Sequence, residues 1–284
     1  MEIPIFKIRA SAASEILAGA IGLSDAQSAK LNELHERWMG NGKPLTDKME
    51  VERKQLVNKL NNPELPKGAK TYCEKWLKEK LYERRKNFTN QYLDKGIQVE
   101  DASIEFAAEF YGWGSVSKND EWFSDDWFEG TPDVIAELEA GLTVIDMKNV
   151  WDCFTMPLFE DEIPTEAYET QLQVYMHLVS EYYKVEFNNA LLVYALMDAP
   201  LNVMEKQMRS LSWEEGQQGL ITDEIRQRVH REMTYSNLAP ELRLKSYEVK
   251  RNPSVISDLK SRVEMCRVYI DELVSKRVEL LKVA

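Results

Sequence analysis

Between residues 128 and 197 the hydrophobic period of this chain changes twice, and that order of periods admits few folds. Residues 128–138 and 142–148 are short runs rich in β-formers, joined by Glu139-Ala140-Gly141, and read as two adjacent antiparallel strands. Residues 165–183 then carry Ala167, Leu172, Val174, Tyr175, Leu178 and Val179 at helical spacing. Residues 189–197 are a near-continuous apolar run, the pattern of a strand buried on both faces. Strands, a helix and a buried strand in succession need a sheet covered by helices. The expected class is therefore α/β (α+β), a small central mixed β-sheet flanked by helices.

The flanking segments supply those helices. Residues 11–21 read as a short helix. Residues 24–95 read as two or three more, punctuated at 40–44 and 61–68, with Trp76, Leu77, Leu81, Phe88 and Tyr92 as an interior stripe. Gly96 precedes another helix, on which Val99, Ala102, Phe106, Ala107 and Phe110 recur at helical spacing. Residues 212–233 read as helical, 242–250 alternate as a strand, and 254–281 form one long amphipathic helix. No repeat and no Gly/Ser linker divides the 284 residues, so a single domain is expected. Within it, 24–95 is a helical, basic insertion, 96–200 the core that carries chemistry, and 201–284 the C-terminal helices and strand.

The net charge of −12 argues at first sight against a polyanionic partner. It is unevenly spread. Residues 43–95 hold 14 Lys plus Arg against 8 Asp plus Glu, whereas residues 120–169 hold 15 acidic side chains and one base, Lys148. A basic segment able to track phosphates thus precedes an acidic block that needs cations before an anion can approach. The longest apolar run, residues 190–197, is far short of the ~18 residues of a membrane span. Glu2, Lys7 and Arg9 interrupt any signal-peptide core, and three scattered cysteines make no disulfide framework, so a cytoplasmic protein with no membrane partner is expected.

Two carboxylates stand at telling places. In Glu129-Gly130-Thr131-Pro132-Asp133 the proline cannot donate to a ladder, so it marks an edge or bulge that re-aims the next side chain. In Val144-Ile145-Asp146-Met147-Lys148, alternation sends Asp146 and Lys148 to one face and Ile145 and Met147 to the other. Asp133 and Asp146 can therefore lie side by side, where paired carboxylates repel unless a divalent cation neutralises them. Oxygen-only ligands suit Mg²⁺ or Mn²⁺. Lys148 is placed to serve an attacking water. On the following helix Gln171 and Tyr175 fall one turn apart on one face.

Asp133 after Pro132, Asp146-x-Lys148 on the next strand and Gln171-x-x-x-Tyr175 on the helix after it resemble the PD-(D/E)xK nuclease superfamily, in the branch of RecB-like and phage lambda-type exonucleases that includes the YqaJ-like viral recombinases. Gly96 followed by Glu100 looks like that branch's first motif, and Ile8-Arg9-Ala10-Ser11 looks like its short phosphate-holding segment. The likeness spans roughly residues 5–195.

The resemblance implies a restriction-endonuclease-like core in a Mg²⁺-dependent exonuclease. Asp133, Asp146 and Glu100 would be metal ligands, Lys148 would serve the attacking water, and Gln171 would orient Lys148 or the phosphate. Ser11, Arg9, Thr131 and Tyr175 would contact DNA, with Arg84 and Arg85 among the basic helices that hold it. It further implies 5′→3′ action on ends of linear double-stranded DNA, a trimeric ring, and a single-strand annealing protein as partner in phage-type recombination inside a bacterial host. An iron–sulfur cluster, found in some RecB-like nucleases, needs four cysteines where this chain has three. One departure stands out, since lambda-type enzymes usually carry Glu where this chain has Asp146. A RecB-like nuclease of other polarity, an endonuclease, and a non-catalytic DNA-binding protein that keeps the fold are the alternatives.

Overall fold

The computed structural model describes residues 3–85 and 91–281, which fall into two compact units. One combines the N-terminal residues up to 7 with residues 14–85 and 257 onward, and the other combines residues 8–13 and 86–256.

The first unit is helical, with α1 (Ala13–Leu17), α2 (Asp25–Trp38), α3 (Asp47–Asn61) and α4 (Lys67–Leu81). A capping box starts α2. Ser24 Oγ accepts the Gln27 N–H at 3.3 Å, and Gln27 Oε1 accepts the Ser24 N–H at 3.2 Å. Leu31 and Leu34 close α2 on Leu56 of α3. Ala69, Tyr72, Cys73 and Leu77 are the buried stripe of α4, and Leu259, Val263, Cys266 and Ile270 repeat the same helical spacing near the C-terminus. The interior stripe expected from Trp76 to Tyr92 does not exist as one face. Helix α4 ends at Leu81, which is exposed, and Tyr92 is exposed at the start of the next helix. Lys86 and Phe88 lie outside the described residues.

The second unit contains β1 (Ile8–Arg9), α5 (Gln91–Tyr111), β2 (Phe123–Ser124), β3 (Phe128–Gly130), β4 (Val134–Leu138), β5 (Gly141–Asn149), α6 (Glu166–Tyr183), β6 (Asn189–Ala195), α7 (Leu201–Glu214), α8 (Asp223–Met233) and β7 (Leu244–Lys250), followed by the start of α9 (Pro253–Leu281). Among the described residues β4, β5, β6 and β7 form one sheet in that order, antiparallel, then parallel, then antiparallel. The parallel step from β5 to β6 is made through α6, as a parallel pair requires a crossover. A small second sheet runs β1, β3, β2. This is the expected mixed sheet flanked by helices.

Three boundaries differ from the sequence reading, each for a local reason. The run 128–138 is split into β3 and β4, which belong to different sheets, because Thr131-Pro132-Asp133 bends between them and Pro132 has no N–H to give a ladder. Helix α5 runs straight through Gly96, which costs a helix only ~1 kcal/mol. The segment read as one helix over 212–233 is two helices, and α7 begins directly after Pro200, whose fixed φ suits the residue leading into a first turn.

Two helices cover the four-stranded sheet. Ile145, Met147, Val193 and Ala195 pack with Ile104 and Ala107 of α5. The alternate residue Asp146 bonds instead to α6, which is buried without interruption from Thr170 to Ser180. The polar side chains of that stretch are satisfied. Gln173 donates to Lys250 O at 2.8 Å and accepts the Asn252 N–H at 2.7 Å, and His177 meets Asp125 at 2.9 Å.

Candidate active site

The β4–β5 hairpin sets the site. Its turn needs a positive φ at Gly141 (+97°), and its register pairs Leu138 with Gly141 and Val134 with Ile145. Continuing that register by one residue sets Asp133 opposite Asp146. Asp133 has left the ladder, and its Oδ2 accepts the Met147 N–H at 2.6 Å. The side chain thereby satisfies a strand amide, while the Pro132 carbonyl accepts from Asn119 Nδ2 at 2.9 Å.

Asp146 is buried at 2% exposure. Its Oδ1 accepts from Gln171 Nε2 at 3.0 Å, and its Oδ2 lies 2.6 Å from Lys148 Nζ. That contact is a close ion pair, and Lys148 is the cationic partner of Oδ2. Gln171 Oε1 faces Lys148 Nζ at 3.4 Å, while its Nε2 also reaches Tyr175 Oη at 2.9 Å. The carboxamide thus turns its acceptor to the ammonium and its donors to the carboxylate and the phenol. Tyr168, three residues before Gln171 on the same helix, holds its ring 4.5 Å from Lys148 Nζ.

Burial raises Asp133 above the usual carboxylate range, and the neighbouring Asp146 raises it further, against the Met147 amide that stabilises its anion. Burial raises Asp146 as well, opposed by Lys148. Tyr175 is raised by burial and by the nearby Asp146. Two carboxyls that resist ionisation side by side form a donor set that suits a hard divalent cation.

The other sequence-derived candidates divide. Glu100 lines the same cavity of about 610 Å³, but its carboxylate pairs with Lys118 at 3.1 Å. Among the described residues no three His, Cys, Asp or Glu side chains gather closely enough to cage a metal. Mg²⁺ needs no such cage, since it keeps several waters and takes one or two carboxylates. At Gly130 a Cβ would stand 2.8 Å from Tyr175 Cε1 and 3.1 Å from Ala10 Cβ, so only glycine lets these three elements meet. Arg9, Ser11 and Thr131 adjoin Ala10 and Gly130 along the chain, and none of the three lines the cavity. Ser11 is exposed in a 3-10 turn (Ala10–Ala12), and Arg9 is paired with Glu129 at 3.4 Å. Arg84 and Arg85 are exposed beyond α4 in the helical unit.

Sequence reasoning missed two participants. Tyr168 was findable, because it shares the i, i+3, i+7 stripe with Gln171 and Tyr175. Lys118 sits in an irregular segment with no periodic signal.

The mixed sheet thus presents Asp133 beside Asp146 and Lys148, backed by Gln171 and Tyr175 on α6. Solved structures share this fold over nearly the whole chain. A phage-related exonuclease from Haemophilus somnus 129PT superposes with a TM-score of 0.66 over 96% of this chain and 97% of its own, at 19% identity. An alkaline exonuclease from Laribacter hongkongensis gives 0.54 over 98% and 95% at 11% identity, and the same enzyme in complex with dAMP gives 0.55 over the same shares at 11% identity. The fold of this chain is that of the phage-type exonucleases. The sequence matches no protein-family model and no curated protein.

Proposed function

We propose that this chain is a divalent-metal-dependent deoxyribonuclease that degrades linear double-stranded DNA from its ends, in the 5′→3′ direction, during phage-type recombination by single-strand annealing. The observation that carries the reading is the convergence of Asp133, Asp146, Lys148 and Gln171 in one cavity of an exonuclease fold. Asp133 and Asp146 would hold Mg²⁺, or Mn²⁺ in its place, with Glu100 joining through water or after release from Lys118. Such a cation activates water and offsets charge on the phosphodiester oxygens.

The side chains account for the rest. The Lys148 ammonium orients the attacking water and stabilises the negative charge that develops on the phosphate. Gln171 fixes Lys148 and Asp146 relative to one another, and Tyr175 fixes Gln171. Arg9, Ser11 and Thr131 receive a terminal phosphate, and for Arg9 this means exchanging Glu129 for the ligand. Arg84, Arg85 and their basic neighbours hold the duplex by phosphate contacts. The dAMP bound by the Laribacter enzyme supports a mononucleotide product. A ring-shaped homotrimer, a single-strand annealing partner and a phage- or prophage-encoded protein working in the bacterial cytoplasm complete the reading. Among the described residues no helix is long and apolar enough to cross a membrane.

The test is degradation of linear duplex labelled at its 5′ or its 3′ end, with Mg²⁺ and with EDTA. Early Mg²⁺-dependent release of the 5′ label is expected. Release of the 3′ label first assigns the opposite, RecB-like polarity, internal cuts assign an endonuclease, and loss of neither label leaves a non-catalytic DNA-binding protein.

A further inference from the structure

The cavity that holds Asp133, Asp146 and Lys148 has a second wall of different chemistry. Helix α5 contributes Tyr92, Leu93 and Ile97, each at least half exposed, and the segment after β5 contributes Trp151 and Phe154. Tyr92 and Trp151 meet edge to face at 4.7 Å. Phe154 is 93% exposed, yet the backbone beneath it is fixed. Asp152 Oδ1 accepts the N–H groups of Phe154 (3.1 Å) and Thr155 (2.9 Å), and Thr155 Oγ1 returns a bond to Asp152 O at 2.9 Å. An apolar ring is thus held out in water by an ordered turn. A single exposed phenylalanine is unremarkable, but four exposed apolar side chains beside the half-buried Trp151 on one wall of a cavity are a binding surface.

We propose that this wall stacks the nucleobase of the nucleotide whose phosphodiester lies at Asp133, Asp146 and Lys148. The inference rests on the nuclease reading above and adds which part of the substrate the enzyme grips beside the chemistry. Charge favours a base over backbone here, because Glu160 lines the cavity on this side and would repel a phosphate. Size favours a base over a protein partner, because about 610 Å³ lies within the range of sites that enclose small molecules. Aromatic rings stack on any base, so the grip is indifferent to sequence, as an enzyme consuming arbitrary DNA requires.

The experiment pairs a change in the protein with a change in the substrate. Wild type and Phe154→Ala are assayed with Mg²⁺ on linear duplexes ending in ordinary nucleotides and on the same duplexes with abasic terminal residues. Stacking of one base corresponds to roughly 5- to 150-fold in efficiency. Wild type should lose about that factor on abasic ends. Phe154→Ala should lose it on ordinary ends, with little further loss on abasic ones, and Phe154→Trp should restore it. So exposed a residue can be truncated without unfolding the chain. Wild-type rates from Phe154→Ala on both substrates, or an equal loss on both, overturn the proposal.

If wild type cuts neither DNA, the nuclease reading fails, and binding decides the stacking. With Ca²⁺ present, fluorescence anisotropy should show ordinary oligonucleotides binding more tightly than abasic ones, with the difference lost in Phe154→Ala. Equal binding of the two oligonucleotides by wild type overturns the inference.

Discussion

Among the described residues Gln171 alone bonds to Asp146, Lys148 and Tyr175 together, through an amide with an acceptor at one end and donors at the other. Gln171→Ala is therefore expected to cut turnover about 100-fold, the scale of a small misplacement of reacting groups, while DNA binding persists. Rates and gel-shift affinities measured on one preparation check this, and full activity would remove the clamp from the mechanism. Asp133 makes the opposite case, a residue kept at a cost in stability. Its raised pKa means that the folded state binds more protons than the unfolded one between the ordinary carboxylate value and the raised one. Stability contributed there falls as pH rises through that window. Asp133→Asn can still accept the Met147 amide without carrying a charge. Its melting temperature in EDTA at neutral pH should exceed that of wild type while nuclease activity disappears, and a lower melting temperature in thermal scans would refute the repulsion argument.

Elements were legible where period and punctuation agreed. The alternation of Val144 to Lys148 and the proline before Asp133 located both carboxylates, because a strand's side-chain direction is fixed by its period of two. The split between β3 and β4 was not legible, since nothing in Phe128-Glu129-Gly130 says which sheet it joins, and that choice is made by its pairing with Ile8, some 120 residues earlier. The polar faces of α6 were legible only in part. Gln171 and Tyr175 show at helical spacing, but burial of Gln173 and His177 depends on partners from distant segments, Lys250 and Asp125.

Lys95 shows how α5 is tied to the strand that carries Lys148. It is 1% exposed, and its ammonium donates to the carbonyls of Val150 (3.0 Å) and Trp151 (2.7 Å) just beyond β5. Burial lowers its pKa from 10.5 to about 8, opposed by Asp152 and Asp198. Below about 8 both folded and unfolded states are protonated. Between 8 and 10.5 the unfolded state binds more protons, so stability should rise with pH across that window relative to Lys95→Met. Thermal melts of both proteins from pH 7 to about 10.5 test this, and a difference that stays flat would mean that the lysine titrates normally.

At the scale of the whole molecule the net charge of −12 averages two unlike units. Most of the basic run of residues 43–95 belongs to the helical unit, and the acidic block of residues 120–169 belongs wholly to the unit that holds Asp133 and Asp146. A bound divalent cation inverts the local sign that a phosphate meets at those carboxylates, whereas the basic helices attract phosphate with or without it. The two contributions should therefore separate. With Ca²⁺ in place of Mg²⁺, affinity for duplex ends should rise well above that in EDTA, with little change for closed circular DNA. Replacing Arg84 and Arg85 by Glu should weaken binding to all DNA alike and flatten the slope of log affinity against log salt by about 2, since each phosphate contact contributes ~0.9. Titrations of both DNA forms over a range of salt, with Ca²⁺ and with EDTA, decide the matter. Tight binding to ends that EDTA leaves unchanged would reduce the acidic block to solvated surface and place all of the DNA affinity on the basic helices.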